Sequence, residues 1–246
     1  PKRQEKSNTI KSHVGKSGDG KSTIRFSYSP YHGFSAMIQK GHKVSYIDAY
    51  TEDLSTYISY SRQNVDDNIN FTCHTDDVQQ QNLINQITDN APINKTANDG
   101  KLRKYRLALA TTIEYSRYHI NKAGLQSGTD EEKLAAVLSA INVAMTRVNG
   151  VYEKEFGVTM ELVENNDKIV FIKTDEYTNN SGSAMLKENQ TVLDREIGTA
   201  NYDVGHVFST GGGGVAYLQS PCSTSKAGGV TGLGTPINDP FYIDYV

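Results

Sequence analysis

The sequence predicts an α/β protein: a mixed, twisted sheet with helices, preceded by a small β-rich segment. Three observations predict it. Residues 23–60 carry four short β-branched and aromatic runs, residues 102–209 alternate strand-like with helix-like runs, and a polar stretch separates the two. With 246 residues, 37% hydrophobic and 22% charged, the chain has an ordinary globular balance and room for two domains.

The first four runs are TIRFSY, SAMIQ, KVSYIDAY and STYISYSR, set apart by Gly33, Gly41 and polar turns. Residues 66–100 are rich in Asn, Asp, Gln and Thr and include NAPINKTANDG, the composition of an exposed linker. This places a domain boundary near residue 98, giving domains 1–98 and 99–246. LRKYRLALA then reads as a core strand, and TTIEYSRYHI as helix-compatible. Thr129 and Glu132 form a capping box, in which the Thr hydroxyl accepts from the Glu amide and the Glu reaches back. Leu134, Val137, Leu138, Ile141, Met145, Val148 and Tyr152 follow at spacings of three and four, an apolar stripe for a sheet to cover, until Gly157 ends the helix. VTMELVE and KIVFIK read as strands, TVLDREI as a short helix and DVGHVFS as a further strand.

The formal net charge of -3 and a pI near 6.1 give no basic footprint, so neither nucleic acid nor an anionic membrane is expected as a partner. No run approaches the roughly 20 apolar residues that span a bilayer, and PKRQEK lacks the apolar core of a signal peptide. If the protein is exported, its signal was removed or lies outside these residues. Cys73 and Cys222 are the only cysteines, too few for a disulfide scaffold. They either pair or are free.

Gly15 to Ser22 satisfies the phosphate-loop pattern G-x-x-x-x-G-K-[ST]. That loop works only between a buried strand and a helix whose N-terminus faces the anion. Here NTIKSHV, a polar terminus, precedes it and the strand-like TIRFSYSP follows it, so the motif reads as a surface loop.

Residues 201–246 carry the functional signal: NYDVGHVFSTGGGGVAYLQSPCSTSKAGGVTGLGTPINDPFYIDYV. Gly214-Val215-Ala216-Tyr217, preceded by a glycine run and followed by Cys222, resembles the G-x-A-Y strand of reprolysin and adamalysin metallopeptidases, and YDVGHVFSTGGGG is similar to the bacterial secreted relatives. LRKYRLALATTIEYSRYH resembles the opening strand and helix of their catalytic domain. The resemblance implies the upper subdomain of a metzincin, with the G-x-A-Y strand as the edge above the cleft, where an extended protein or peptide substrate adds as an antiparallel strand. Gly214, Val215, Ala216, Tyr217 and Leu218 are then the substrate-binding residues.

In that family H-E-x-x-H-x-x-G-x-x-H holds zinc, with the Glu as general base toward the metal-bound water. The six histidines, His13, His32, His42, His74, His119 and His206, include no two that are four apart, so this motif is not in the sequence. His206, on a strand, reads as a packed residue. The resemblance implies a secreted zinc metalloendopeptidase zymogen, with residues 1–98 as its prodomain and residues 99–246 as the front part of its catalytic domain, the two in contact in cis. The chain as given is expected to bind no catalytic zinc and to hydrolyse no peptide bond. Cys73, in FTCHTDD, is the candidate inhibitory zinc ligand, and a buried or disulfide-bonded cysteine is the plain alternative. A different class of function is a catalytically dead peptide-binding module for adhesion or inhibition. Asp167, Asp175, Glu176, Asn179 and Asn180 are candidate calcium ligands, although their spacing matches no dedicated loop and a solvated turn is the plainer reading.

Overall fold

The computed structural model describes residues 11–64, 99–211 and 213–236, and its chain divides into two compact units. One comprises Pro1–Ile69, Arg117–Lys154 and Ile237–Val246, and the other Asn70–Ser116 and Glu155–Pro236. The polar stretch 65–98, with Cys73, His74 and the boundary expected near residue 98, lies outside the described residues.

The first unit holds a five-stranded antiparallel sheet in sequential order, β1 (Lys11–Lys16), β2 (Ser22–Ser29), β3 (Gly33–Lys40), β4 (Lys43–Ala49) and β5 (Tyr57–Ser61). Gly33 and Gly41 turn the chain with φ of 64° and 57°, a region that costs other residues but not glycine. The phosphate-loop pattern is the β1–β2 hairpin. Ser17 N donates to Ser22 O at 2.9 Å, and Lys11 pairs with Tyr28 and Lys16 with Thr23 in antiparallel register. Its N-terminal side is thus a strand rather than a loose terminus, and a strand, not a helix, follows the glycines. No helix N-terminus is there to face a phosphate.

The long helix begins where its capping box says it should. Glu132 N donates to Thr129 Oγ1 at 3.3 Å and Thr129 N to Glu132 Oε2 at 2.8 Å, opening the helix Asp130–Glu155. It follows a shorter helix, α1 (Ile113–Lys122), and is called α2. Val137, Ile141, Met145 and Val148 of the apolar stripe are buried. α2 makes several polar contacts with the sheet. Arg147 Nη2 donates to both Asp48 oxygens at 2.5 Å, Arg25 pairs with Glu153, Thr146 Oγ1 donates to Ser12 Oγ at 2.8 Å, and Lys154 Nζ reaches Gly41 O at 2.9 Å. Gly150 lets the helix approach closely, since a Cβ there would stand 2.9 Å from Met37 Sδ. By length and composition α2 is apolar enough to cross a membrane, a property it shares with the buried core helix of many folded domains. Its buried Arg147 and Ser139 and their partners in the sheet suit the core role.

The second unit is built on a mixed sheet in the order β7-β6-β8-β10-β9. β6 (Arg103–Thr111) lies parallel to β7 (Val158–Leu162) and β8 (Val204–Ser209), β8 parallel to β10 (Gly229–Gly232), and β9 (Gly214–Ala216) antiparallel to β10. Helix α3 (Gly182–Glu196) supplies Met185, Leu186, Val192 and Leu193 to a core with Ala108, Ala110, Val207, Val215 and Val230 of the sheet. This is the mixed α/β sheet that the sequence predicts. Two elements differ from their sequence reading. KIVFIK forms no strand: Asn166 Oδ1 accepts from Leu109 N at 2.8 Å and its Nδ2 donates to Leu109 O at 2.9 Å, so one side chain satisfies the groups a neighbouring strand would pair. The chain there runs through a 3-10 turn, Asn166–Ile169, and its ladder pairing with β6 is one isolated bridge, Val170 to Thr111. The helix expected over TVLDREI starts nine residues earlier, at Gly182, because Ser181 Oγ caps it by accepting from Ala184 N at 3.4 Å.

Candidate substrate-binding edge

β9 is three residues long and terminates the sheet, with a hydrogen-bonded neighbour on one side only among the described residues. Gly232 N donates to Gly213 O and Tyr217 N to Gly228 O, each at 2.9 Å, and Val215 stands opposite Val230. Backbone groups alternate direction along a strand. Gly213, Val215 and Tyr217 therefore face β10, and Gly214 and Ala216 turn their N–H and C=O away from it. Ala216 is exposed, Leu218 is 45% exposed, and Gly214 and Val215 are buried. The five residues singled out in the sequence thus lie together at the sheet edge: Val215 fills the core, Tyr217 packs on Gly228, and Ala216 and Leu218 front the surface.

The glycines around the edge are sites of close approach. A Cβ at Gly232 would run into Gly211 O, and one at Gly228 would run into the Tyr217 ring. A Cβ at Gly229 would stand 2.5 Å from His206 Nδ1. His206 lies on β8 and shares a hydrogen bond with Thr231 Oγ1 at 2.9 Å through Nε2. Burial holds its imidazole down to about 4, so it is neutral, packed and tied to the next strand. Cys222 is exposed with a free thiol, in a turn where its φ is 61°.

Three of the candidate calcium ligands, Asp175, Glu176 and Asn179, have other partners. Asp175 accepts from Tyr177 N at 2.8 Å and from Ile113 N at the start of α1, and Glu176 pairs with Arg195 at 3.0 Å. Burial pushes the Asp175 carboxyl up, against those amide bonds and with repulsion from Glu114 and Glu188 added. Asn179 Oδ1 accepts from Thr112 Oγ1 at 2.9 Å and from Thr210 N at 3.1 Å, while its Nδ2 donates to Thr210 Oγ1 at 2.9 Å. Asn179 and Ser209 hold the chain between β8 and β9, and sequence reasoning did not give them that part. The signal available was an Asn-Asn-Ser run ahead of a helix, which reads equally well as a solvated turn.

Residues 138–246 match the model of the reprolysin-like peptidases of metallopeptidase family M12B. This stretch of the chain is similar to the reprolysin-like peptidases. It takes in α3, β7 to β10 and the G-V-A-Y edge, and begins within α2. No curated protein matches the chain. The reprolysin-like family is one of metallopeptidases, so the fit of a metal to these residues is a direct question. Among the described residues no group of three or more His, Cys, Asp or Glu is arranged to hold one. The donors among the described residues do not fit zinc.

Proposed function

We propose that the chain belongs to a secreted zinc metalloendopeptidase made as a zymogen, and that it contributes the strand on which an extended peptide is laid out for hydrolysis. The observation that carries this is the place of β9. The G-V-A-Y residues of a reprolysin-like stretch form the last strand of a mixed sheet, antiparallel to its neighbour, with the exposed Ala216 turned outward by strand alternation. An edge of this kind offers main-chain donors and acceptors to a peptide of nearly any sequence, which suits an endopeptidase. In this reading residues 1–98 are the prodomain and Cys73 its zinc-binding latch. The H-E-x-x-H motif is not among these 246 residues, and in this reading the chain by itself binds no catalytic zinc. A second reading, a non-catalytic peptide-binding module, draws on the same edge and on the missing H-E-x-x-H in this sequence.

The edge is tested by Ala216→Pro. Proline removes the outward N–H and is tolerated on edge strands, so the sheet should persist while an unstructured peptide such as oxidised insulin B chain binds about tenfold more weakly, the worth of a hydrogen bond. Equal affinity of the parent and the proline variant, measured by titration, would remove β9 as the binding strand.

A further inference from the structure

β9 is too short to fix its own position. Among the described residues its three residues pair only with β10, so its register depends on what holds the chain at either end. At the far end Tyr217 is tied to Gly228 through its amide at 2.9 Å. At the near end the chain leaves β8 through Ser209, Thr210 and Gly211, and here two sets of contacts bracket it. On the inner side Ser209 Oγ donates to Gly211 O at 2.7 Å, and Gly211 O rests against Gly232 so closely that no side chain fits there. On the outer side stands Asn179.

Asn179 uses both ends of its amide. Oδ1 takes the Thr210 N–H at 3.1 Å and the Thr112 hydroxyl at 2.9 Å, and Nδ2 donates to the Thr210 hydroxyl at 2.9 Å. One side chain therefore joins the end of β6 to the exit of β8 immediately before α3 begins. Its backbone matters as well, because a Cβ at Gly211 would stand 2.7 Å from Asn179 O and run into Asn180 Oδ1. The path toward β9 is thus laid against residues 179 and 180. Few other side chains could do this, since the position needs an acceptor for two donors and a donor in the same plane. Aspartate keeps the acceptors and loses the donor, and alanine loses both.

We propose that Asn179 is a positioning residue for the substrate edge, fixing the entrance of β9 so that the outward groups of Ala216 stand in register for an incoming peptide. The proposal rests on the reading of β9 as the peptide-binding strand. It does not place Asn179 in contact with substrate.

Hydrogen exchange and peptide binding, measured together on the full chain, test it. With Asn179→Ala, the Val215 and Tyr217 amides should exchange about tenfold faster, as for the loss of a hydrogen bond or two, while Val207 and Phe208 of β8 keep their protection. Oxidised insulin B chain should bind about tenfold more weakly, and Asn179→Asp should recover part of both losses. Thr210→Val, which removes only the hydroxyl that Nδ2 bonds, should show the same pattern in smaller measure and replaces alanine if that variant does not fold. Unchanged protection of Val215 and Tyr217, with peptide binding intact, overturns the positioning role and leaves the edge reading standing. Loss of protection in a protein whose parent binds no B chain overturns the edge reading instead, and with it the role of Asn179 toward substrate.

Discussion

His32 and His119 face each other with ring centroids 5.8 Å apart, and His32 Nδ1 meets Ser139 Oγ at 3.0 Å. Tyr118 lies edge-on to His119 at 5.1 Å, and Lys122 is the charge that acts on both rings. Burial first, and Lys122 second, hold His32 down to about 4; burial, then His32 and Lys122, hold His119 well below its ordinary value. Both are neutral in the folded chain and take up protons on unfolding below about pH 6.5. Stability is therefore fully present above that pH and falls as pH drops toward 4, with His32 alone contributing on the order of 3 kcal/mol to the loss. Urea midpoints measured from pH 7.5 to 4.5 should decline across this window, and His32→Gln should flatten the decline. A variant curve parallel to that of the parent would remove His32 as its source. Composition shows six histidines but not which of them are buried, because burial is set by residues distant in sequence.

The helix α2 shows which element properties are local. Its capping box and its three-and-four stripe can be read from neighbouring residues, and both are present. Arg147, between the stripe residues Met145 and Val148, is a charged residue that is only 1% exposed. What buries it is Asp48, 99 residues away, which also accepts from Ser35 Oγ at 2.7 Å and Tyr60 OH at 2.6 Å, while the Tyr46 ring lies 5.0 Å from the guanidinium. Such a pairing has no periodic signature. The same holds for KIVFIK, whose strand-like composition is overruled by Asn166, and for β9, which is too short for alternation and is legible only through the family resemblance of G-V-A-Y. Removing the carboxylate with Asp48→Ala should destabilise the chain by about 3 kcal/mol, because a buried charge loses its counter-ion. The double variant Asp48→Ala, Arg147→Met should recover much of that loss in equilibrium denaturation. A single variant within experimental error of the parent would show that other groups carry the Arg147 charge.

At the scale of the whole molecule, the two cysteines decide between a stapled and a latched chain. A core of the size seen in the second unit needs no cross-link, and the sequence offers one pairing at most, Cys73 with Cys222. Cys222 is exposed with a free thiol. A free thiol at Cys73 is what the proposed latch requires, since a thiolate is a strong zinc ligand that can displace the attacking water and a disulfide sulfur is not. Iodoacetamide added to the native chain without reductant should therefore modify Cys222 rapidly, and after unfolding both cysteines should carry the label. Intact-mass analysis should show no deficit of two hydrogens. If the deficit appears and maps to a bond between Cys73 and Cys222, the latch has no thiolate to offer and latency has to come from steric cover. With both thiols free, the decisive variant is Cys73→Ser in a form of the protein that carries the zinc motif. Serine keeps the size of the side chain and supplies a far weaker zinc ligand, so peptidase activity before prodomain cleavage should rise, and a mercurial should activate the parent but not the variant. Equal latency of the two proteins would exclude Cys73 as the zinc-binding group.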